Sequence, residues 1–376
     1  MIHHAKIIEL LHRSAPDLVA NSRASFDLLL PIIKRMVADN EFWNLIQQRD
    51  DVPICLENTA FDHAHEIKPF SDRYVALGVD GSQIYPDRHS GISCFLLHIG
   101  SILIQYGSLH GNVAKESESF LFSHWDTCND SVHTHDIVDT ERFLKELQYG
   151  FEQAQTYKQK HPKDRIILFT DGPLLFWHNA QKPVEFQKKY LTRYINILQL
   201  FEAEHIPIVG YTSMPRSREL TKIVKTYIQY TGITNEEIKE LCAHLTDTQL
   251  IALFLKPNHR TASFKSNAMT HNNGQTNYEI NFVYINTCTE YIRLEMPSWI
   301  NRNEEISNFA YEATMHQIKN GFGYPTVLSL AHEQAVIKNA DRIFFTKMLH
   351  KTLLNYDIQS NISQKQFKKD FGEQKR

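Results

Sequence analysis

The chain has 376 residues, of which 42% are hydrophobic and 22% are charged, and this usage excludes a mainly disordered or fibrous protein. Its 40 Lys and Arg residues nearly balance its 43 Asp and Glu residues, so the formal net charge is −3. The balance does not exclude a nucleic-acid partner, because phosphate contacts come from local clusters of Arg and Lys rather than from the total charge.

The N-terminal part of the chain has a helical pattern. Apolar residues recur at spacings of three and four, for example Ile7 with Leu11 and Leu28 with Ile32. We therefore predict a helical extension over residues 1–70.

From residue 73 onward, the spacing of the apolar residues changes to every second position. In RYVALGVDGS, apolar residues alternate with smaller or acidic ones, which indicates a strand that ends near Asp80. The next segment, GISCFLLHIGSILIQYG, has two apolar runs around Gly100 and Ser101, and glycine at the first central position favours a type II′ hairpin turn. Three antiparallel strands followed by a polar loop are therefore predicted.

Helices and strands alternate after this loop. Asp139 is predicted to cap a helix over residues 140–160, because its carboxylate can accept from the first backbone N–H groups of the helix. A continuous apolar run at 165–171 is typical of a buried strand. A second helix and a second buried strand follow, at about 184–204 and 206–211.

This order of elements predicts an α/β fold with a ribonuclease H-like mixed sheet flanked by helices, although several mixed α/β folds share parts of it. The rest of the chain is predicted to hold a largely helical insertion at about 215–275, with a polar loop around 271–274. Two strands, two helices and a C-terminal tail complete the prediction, at about 278–285, 290–295, 303–319, 325–339 and 346–376.

Cysteine spacing and hydropathy bear on the compartment. The five cysteines never show C-x-x-C spacing, so neither a disulfide framework nor a cysteine zinc site is predicted. The N-terminus lacks a cationic segment followed by an uninterrupted apolar run, and the longest apolar run, 92–106, is shorter than the ~20 residues that span a bilayer. We therefore expect a soluble cytoplasmic protein with no membrane contact.

Two acids, Asp80 and Asp171, stand at predicted strand ends, and each is followed directly by one of only 14 glycines. Ligands collect at the carboxyl ends of strands in α/β sheets, and carboxylate oxygens suit Mg²⁺ or Mn²⁺. The two acids therefore predict a divalent-cation site. The alternative is that each Asp begins a turn, for which Asp-Gly is a favoured dipeptide.

A two-metal site would need a third carboxylate, and the predicted helix at 140–160 offers Glu141, Glu146 and Glu152. We prefer Glu146, because it lies one turn into the helix and three residues after Phe143, at the edge of the apolar stripe. The alternative for all three is a solvated helix face.

Cationic residues and a histidine extend the list of candidates. Arg216 and Arg218 follow the predicted strand at 206–211 and could hold phosphates at the same sheet edge, with ordinary surface arginines as the alternative. His332 lies two turns into a helix that Pro325 starts. Because the chain has 20 histidines, spacing alone favours a structural role for His332.

Taken in order, several short segments resemble the NurA family of nucleases over residues 73–341. Each segment is short, and their order and spacing make the resemblance specific. They are VDGS at 79–82, the helix with Arg142 and Glu146, FTDGPL at 169–174, VGYTSMPRSREL at 209–220, DTQLIALFL at 247–255, FVYINTCTEYIRLEMPSW at 282–299 and GYPTVLSLAH at 323–332.

The resemblance implies an Mn²⁺-dependent DNA nuclease, with Mg²⁺ as the alternative cation, that has single-strand endonuclease and 5′ to 3′ exonuclease activity. Its substrates would be single-stranded DNA and the ends of double-stranded DNA. The resemblance also implies a nuclease domain at 71–345 with a ribonuclease H-like core, a homodimer, and a HerA-type hexameric ATPase as partner. Together they would resect DNA ends in double-strand break repair.

The family's site residues carry over to positions that match its motifs. The resemblance implies that Tyr324 orients a phosphate or a ligand residue, and it reverses the structural interpretation of His332. It leaves Glu152 as the alternative helix ligand. The metal ligands that it implies are Asp80, Glu146, Asp171 and His332.

The segment after the strand at 206–211 departs from the family, since many members have a lysine there. This chain has Thr212, Ser213 and Met214, so a phosphate-facing cation is lost or is supplied by Arg216. We expect a basic rim around an acidic site, with Arg216, Arg218 and Lys222 as its members.

Two other functions compete with the nuclease. An actin-like or sugar-kinase-like ATPase also begins its first hairpin with Asp, Gly and a hydroxyl residue. It needs a second glycine-rich phosphate loop, and Pro173, after Asp171 and Gly172, supplies no backbone N–H for one. The third function is a non-catalytic dimeric adaptor of a translocase, and the presence of all four candidate ligands argues against it.

Overall fold

The computed structural model describes residues 4–57, 59–70, 72–86, 94–107, 111–123, 134–175, 182–266 and 278–356. The chain divides into two compact units. The first unit is Met1–Ile67 with Thr212–Leu294, and the second unit is Lys68–Tyr211 with Glu295–Arg376. No helix within the described ranges combines the length and the apolar character that crossing a membrane requires.

The strands of the described residues are β1 (Ile54–Cys55), β2 (His65–Glu66), β3 (Tyr74–Ile84), β4 (Phe95–Tyr106), β5 (Val113–Phe122), β6 (Ile166–Asp171), β7 (Ile208–Ser213), β8 (His259–Arg260), β9 (Phe264–Lys265), β10 (Ile280–Asn286) and β11 (Tyr291–Pro297). The helices are α1 (His4–Ala38), α2 (Asn40–Ile46), α3 (Thr134–Lys160), α4 (Val184–Ala203), α5 (Glu219–Thr231), α6 (Glu236–His244), α7 (Asp247–Ile251), α8 (Ser298–Asn301), α9 (Glu304–Asn320), α10 (Thr326–Ala335) and α11 (Asn339–Leu354).

A mixed sheet forms the centre of the second unit, with the strand order β7-β6-β3-β4-β5. β3, β4 and β5 pair antiparallel, whereas β6 and β7 run parallel to β3. α3 meets the sheet near Val79 and Gly81, and α10 meets it near Gly78 and Gly100. Because alternate residues of a strand point to opposite faces, α3 and α10 cover opposite faces of the sheet. The predicted mixed α/β sheet flanked by helices is confirmed.

The predicted hairpin turn at Gly100 and Ser101 is wrong. Gly100 pairs with Asp80 and Ser101 with Val79, both inside the continuous strand β4. A Cβ atom on Gly100 would lie 2.7 Å from the backbone nitrogen of Ala335, so this glycine serves the close approach of α10. Glycine is favoured at position 100 because α10 packs closely there, and not because the chain turns.

The third antiparallel strand comes from the segment that was predicted to be a polar loop. β5, with the sequence VAKESESFLF, is an edge strand, and its side chains are mostly exposed. An edge strand with little buried surface needs no regular apolar alternation, and charged residues on it discourage pairing with other chains. The polar sequence of β5 therefore gave no indication of a strand.

α3 begins at Thr134, six residues before the predicted start, so the prediction that Asp139 caps this helix is wrong. Asp139 lies inside the helix, where its carboxylate accepts a 2.6 Å hydrogen bond from the hydroxyl of Tyr85. Ile137 and Val138 are completely buried, so this earlier turn is held by packing.

The predicted end of α10 also differs from the structure. This helix stops at Ala335, four residues before its predicted end.

The first strand was predicted to end near Asp80, but β3 continues to Ile84, so Asp80 lies inside a strand rather than at its end. The other helix and strand predictions of the second unit are confirmed within a few residues, as shown by α4, α9, β6 and β7. In the first unit the predicted N-terminal helices continue only to Ile46, and residues 47–67 contain the short strands β1 and β2. The insertion at 215–275 begins with α5, α6 and α7, but its later part forms β8 and β9. The predicted loop at 271–274 lies outside the described residues. The predicted tail at 346–376 is partly wrong, because helix α11 continues to Leu354; residues 357–376 lie outside the described residues.

The first unit has its own hydrophobic core, in which α1 and α2 pack with α5, α7, β9 and β10. Every residue of β10 is buried. The largest members of this core are aromatic: Phe42 packs edge to face on Tyr227 at a ring distance of 4.9 Å, and Phe264 stacks on Phe282 at 5.7 Å. The core residues with no exposed surface include Leu29, Met36, Phe42, Leu220, Ile223, Leu250, Phe264 and Phe282.

A buried polar network fixes the start of α5 in the first unit. Both carboxylate oxygens of Asp247 accept 2.9 Å bonds, from the backbone N–H groups of Glu219 and Thr221. The Tyr284 hydroxyl donates to Asp247 at 2.7 Å, and Arg293 pairs with Glu219 at 2.7 Å. Burial raises the pKa of Asp247, and the bond from Tyr284 acts in the opposite direction. Asp247 thus satisfies the helix N-terminus, which Arg218, the residue at the cap position, leaves without a side-chain bond.

Candidate metal centre

Asp80 and Asp171 lie side by side on two parallel strands. The register of β3 and β6 places Val79 opposite Thr170, and each acid is the next residue of its strand. Asp80 accepts a 2.8 Å bond from the backbone N–H of Gly81 through Oδ1, and its Oδ2 lies 2.8 Å from Nδ1 of His332. Two acids and a histidine from three separate elements of the second unit are thus neighbours.

Glu146 reaches the same region from α3, on the opposite face of the sheet. A Cβ atom on Gly81 would lie 2.6 Å from Oε1 of Glu146, so this carboxylate occupies the space beside β3 that the missing side chain of Gly81 leaves. Arg142, one turn earlier, donates to the Gly81 carbonyl at 3.0 Å, and its Nε lies 3.6 Å from the same Oε1. Arg142 and Gly81 together define where Glu146 stands.

Burial and neighbouring charge raise the pKa values of Glu146 and Asp171. Burial raises the pKa of Glu146 to about 8; Arg142 opposes this, while the charges of Asp80 and Asp171 add to it. Burial also raises the pKa of Asp171, against a hydrogen bond from the Tyr324 side chain that stabilises the carboxylate. The Tyr324 ring packs edge to face on Tyr211 at 5.3 Å. The arrangement therefore concentrates negative charge that a cation would neutralise.

The structure separates the three glutamates of α3. Glu141 forms a two-bond ion pair with Arg193 of α4, at 2.6 and 2.8 Å, and so joins two helices. Glu152 is exposed and accepts a bond from the Gln148 amide. Glu146 alone of the three is placed next to Gly81, and only 12% of its side-chain surface is exposed.

The donor set fits a hard divalent cation. Oε1 of Glu146 is buried without a hydrogen-bond partner, and carboxylates with one imidazole are the ligands that Mn²⁺ takes readily. Among the side chains that the structure describes, no three His, Cys, Asp or Glu residues are already converged around one point as ligands of a metal ion. Asp80 and Asp171 are thus close enough to raise the pKa of Glu146, and metal binding would require the side chains to converge further.

A protein-family model, the NurA domain, matches residues 74–337. The chain belongs to the NurA family. The match begins at the first residue of β3 and ends just after α10, so it contains all five residues predicted to form the catalytic site. The resemblance found in the sequence is confirmed.

Three solved NurA structures align with the chain. A crystal structure of NurA bound to dAMP and manganese covers 92% of this chain and 97% of its own, with 10% identity and a TM-score of 0.34. A crystal structure of NurA covers 84% and 95%, with 10% identity and a TM-score of 0.39. A crystal structure of NurA with manganese covers 91% and 98%, with 12% identity and a TM-score of 0.34. The comparison with curated proteins found no match.

The predicted phosphate-binding arginines of this NurA chain lie in the first unit and are exposed. Arg218 precedes α5 and donates to the Ala243 carbonyl at 3.2 Å, and Lys222 is exposed one turn into that helix. The Ser217 hydroxyl is bonded to the Tyr284 hydroxyl at 2.5 Å. The segment that carries Arg216 is therefore held by its neighbour Ser217.

The sequence interpretation of this NurA chain missed one residue of the site, Arg142. The available signal was its position four residues before Glu146, a spacing that places both side chains on one helix face. Its contact with Gly81 could not be foreseen, because it depends on how α3 packs on β3.

Proposed function

We propose that the chain is a metal-dependent DNA nuclease, a phosphodiester hydrolase. The proposal depends on four side chains from β3, α3, β6 and α10 that lie in one region of the NurA domain match: His332 contacts Asp80, the charges of Asp80 and Asp171 act on Glu146, and the donor atoms suit a divalent cation. We further propose Mn²⁺ as the cofactor, with Mg²⁺ as the alternative. The ligands in this proposal are Asp80, Glu146, Asp171 and His332.

The finer parts of the proposal follow from family membership. They are single-strand endonuclease and 5′ to 3′ exonuclease activity on DNA ends, a homodimer, and work with a HerA-type hexameric ATPase in end resection during double-strand break repair. We also propose that residues 71–345 form the nuclease domain with a ribonuclease H-like core. Three antiparallel strands followed by two parallel strands, in the order β7-β6-β3-β4-β5, support that core.

Each residue has a distinct task in this proposal. A bound Mn²⁺ would supply a Lewis acid that activates water and stabilises charge on the phosphate. Asp80 and Asp171 present carboxylates at one level of the sheet, and Tyr324 orients Asp171 through its hydrogen bond. His332 adds an imidazole beside Asp80. Arg142 holds the Gly81 carbonyl and stands beside Glu146.

The proposal is tested with end-labelled single-stranded and double-stranded DNA, in Mn²⁺, in Mg²⁺ and in chelator. We expect cleavage with Mn²⁺ that chelator abolishes. The Asp80→Asn protein should fold but lose cleavage activity. The loss should exceed the about 10-fold to 100-fold loss that follows removal of a residue that only hydrogen-bonds to a metal ligand. The matched control is Asp164→Asn, since Asp164 is exposed and bonded to Tyr157 before the start of β6. Full activity of Asp80→Asn would refute the metal site.

A second test concerns Arg216 and Arg218 as DNA contacts. In the Asp80→Asn background, replacing both with Ala should weaken binding of single-stranded DNA and reduce the dependence of log K on log salt by roughly 0.7 for each phosphate that the protein no longer neutralises. Fluorescence anisotropy over a salt series measures both quantities. Lys239→Ala is the control, because this lysine is an exposed cation paired with Glu236. An unchanged salt slope in the double variant would exclude the two arginines as phosphate-binding residues.

A further inference from the structure

α10, which carries His332, rests with its backbone directly on two glycines. A Cβ atom on Gly78 of β3 would lie 2.4 Å from the Val327 carbonyl oxygen, at the N-terminal end of α10. A Cβ atom on Gly100 of β4 would lie 2.7 Å from the Ala335 nitrogen, at the C-terminal end. Real Cβ atoms do not approach backbone this closely, so any side chain at either position would push the helix outward.

The two glycines flank Asp80 on the face of the sheet that α10 covers. Gly78 is two residues before Asp80 on β3, and side chains with that spacing share a face. Gly100 is the direct cross-strand partner of Asp80. In an antiparallel pair, partners point to the same face with their Cβ atoms about 5 Å apart. The backbone of α10 therefore occupies the space beside Asp80 that a side chain at Gly100 would fill.

Further contacts hold the ends of α10 at this depth. The Ser82 hydroxyl donates to the Ala335 carbonyl. At the other end, the Val327 N–H donates to the Gln317 side chain at 3.2 Å, and Gln317 in turn donates to the Tyr74 hydroxyl at 2.9 Å. Both ends of the helix are thus located by contacts with its backbone atoms.

His332 depends on this placement of the backbone because its own side chain is 70% exposed. It has little packing to fix it, and it meets Asp80 at 2.8 Å. An ordinary contact needs about 3.4 Å, so a methyl group at Gly100 would move the nearby helix end outward by roughly 0.7 Å. Displacements of that size disturb sites that need placement within about 0.5 Å.

We propose that Gly78 and Gly100 are positioning residues that form a seat for α10 and thereby set the distance between His332 and Asp80. Ser82 completes the seat at its C-terminal end. The inference rests on the proposed function only for its metal readout, because the distance between the two side chains can be measured without any metal.

The test compares Gly100→Ala with the wild-type protein by Mn²⁺ titration and by a metal-free crystal structure. We expect Mn²⁺ to bind about 10-fold to 100-fold more weakly. In the crystal, the separation of His332 Nδ1 and Asp80 Oδ2 should exceed hydrogen-bond distance. Gly111→Ala is the matched control, since the nearest atom to a Cβ there, the Gln105 carbonyl oxygen, is 3.8 Å away. This control should bind Mn²⁺ as the wild type does.

A double-mutant cycle with His332→Ala separates positioning from a general loss of structure. If Gly100 acts through His332, Gly100→Ala should cause no further loss of Mn²⁺ affinity in the His332→Ala protein. An equal loss in both backgrounds would overturn the proposal, as would a folded Gly100→Ala protein that keeps the wild-type distance and affinity.

Ser82→Ala covers the case in which Gly100→Ala does not fold, since it removes one bond to Ala335 and adds no atom. We expect a smaller loss of Mn²⁺ affinity that also disappears in the His332→Ala background. An undiminished loss there, or unchanged affinity and distance, would count against the seat. If the wild-type protein neither binds Mn²⁺ nor cleaves DNA, the proposed function fails, and the distance in the crystals still decides the role of the seat.

Discussion

Glu146→Gln should abolish metal-dependent DNA cleavage and at the same time stabilise the metal-free protein. The carboxylate has 12% of its side chain exposed, with one buried oxygen that lacks a hydrogen-bond partner, and it faces the charges of Asp80 and Asp171. A neutral amide of the same shape removes the cost of burying this charge, which is on the order of a few kcal/mol. The same change removes a ligand from the proposed cation.

The stability gain should depend on pH in a defined direction. The pKa of Glu146 is about 8 in the folded protein against an ordinary value of 4.5. A raised pKa means that the folded state binds the proton more tightly, so wild-type stability from this group is complete below pH 4.5 and declines as the pH rises to about 8. The difference between Glu146→Gln and wild type should therefore be small at about pH 4, grow through this window, and level off above it.

Thermal and urea denaturation in chelator across about pH 4 to 9 measure this difference. Glu152→Gln is the matched control, because Glu152 lies on the same helix and is exposed. It should change neither stability nor cleavage. A Glu146→Gln protein that cleaves DNA normally would remove Glu146 from the site, and a lower stability at about pH 8 would contradict the account of its burial.

Arg293→Met should destabilise the first unit by about 3–5 kcal/mol, the usual consequence of leaving one partner of a buried ion pair alone. Arg293 and Glu219 expose only 3% and 9% of their side chains. The guanidinium also lies 3.8 Å from the centre of the Phe282 ring. Since whole domains are stable by only about 5–15 kcal/mol, the variant should unfold at clearly lower urea concentration or temperature.

Two controls give this result its meaning. Arg49→Met breaks an ion pair with Asp51 whose partners are 39% and 60% exposed, and it should cost less than about 1 kcal/mol. The double variant Arg293→Met with Glu219→Met removes both buried charges and should recover part of the lost stability. If Arg293→Met unfolds no more easily than Arg49→Met, the pair does not stabilise the unit.

Several features of the fold could be read from the chain because they depend on local patterns. The apolar run before Asp171 predicted β6 within one residue, and the helical spacing predicted α4 and α9 closely. In contrast, β5 was missed, since an edge strand needs no apolar alternation. The start of α3 was missed because the burial of Ile137 and Val138 depends on tertiary packing.

The sequence by itself determined the strand that contains Asp80, the strand that ends in Asp171 and the helix that carries three candidate glutamates, because each is recorded in residues close together along the chain. It also determined membership of the NurA family, through the order and spacing of short segments. Only the tertiary structure decided which glutamate of α3 lies beside Gly81, since that depends on which helix face packs on a strand some 65 residues away. The tertiary structure likewise decided that Gly100 allows the close packing of α10 and does not form a turn. A glycine favours both, and the physical difference is whether another backbone fills the space that its missing side chain leaves.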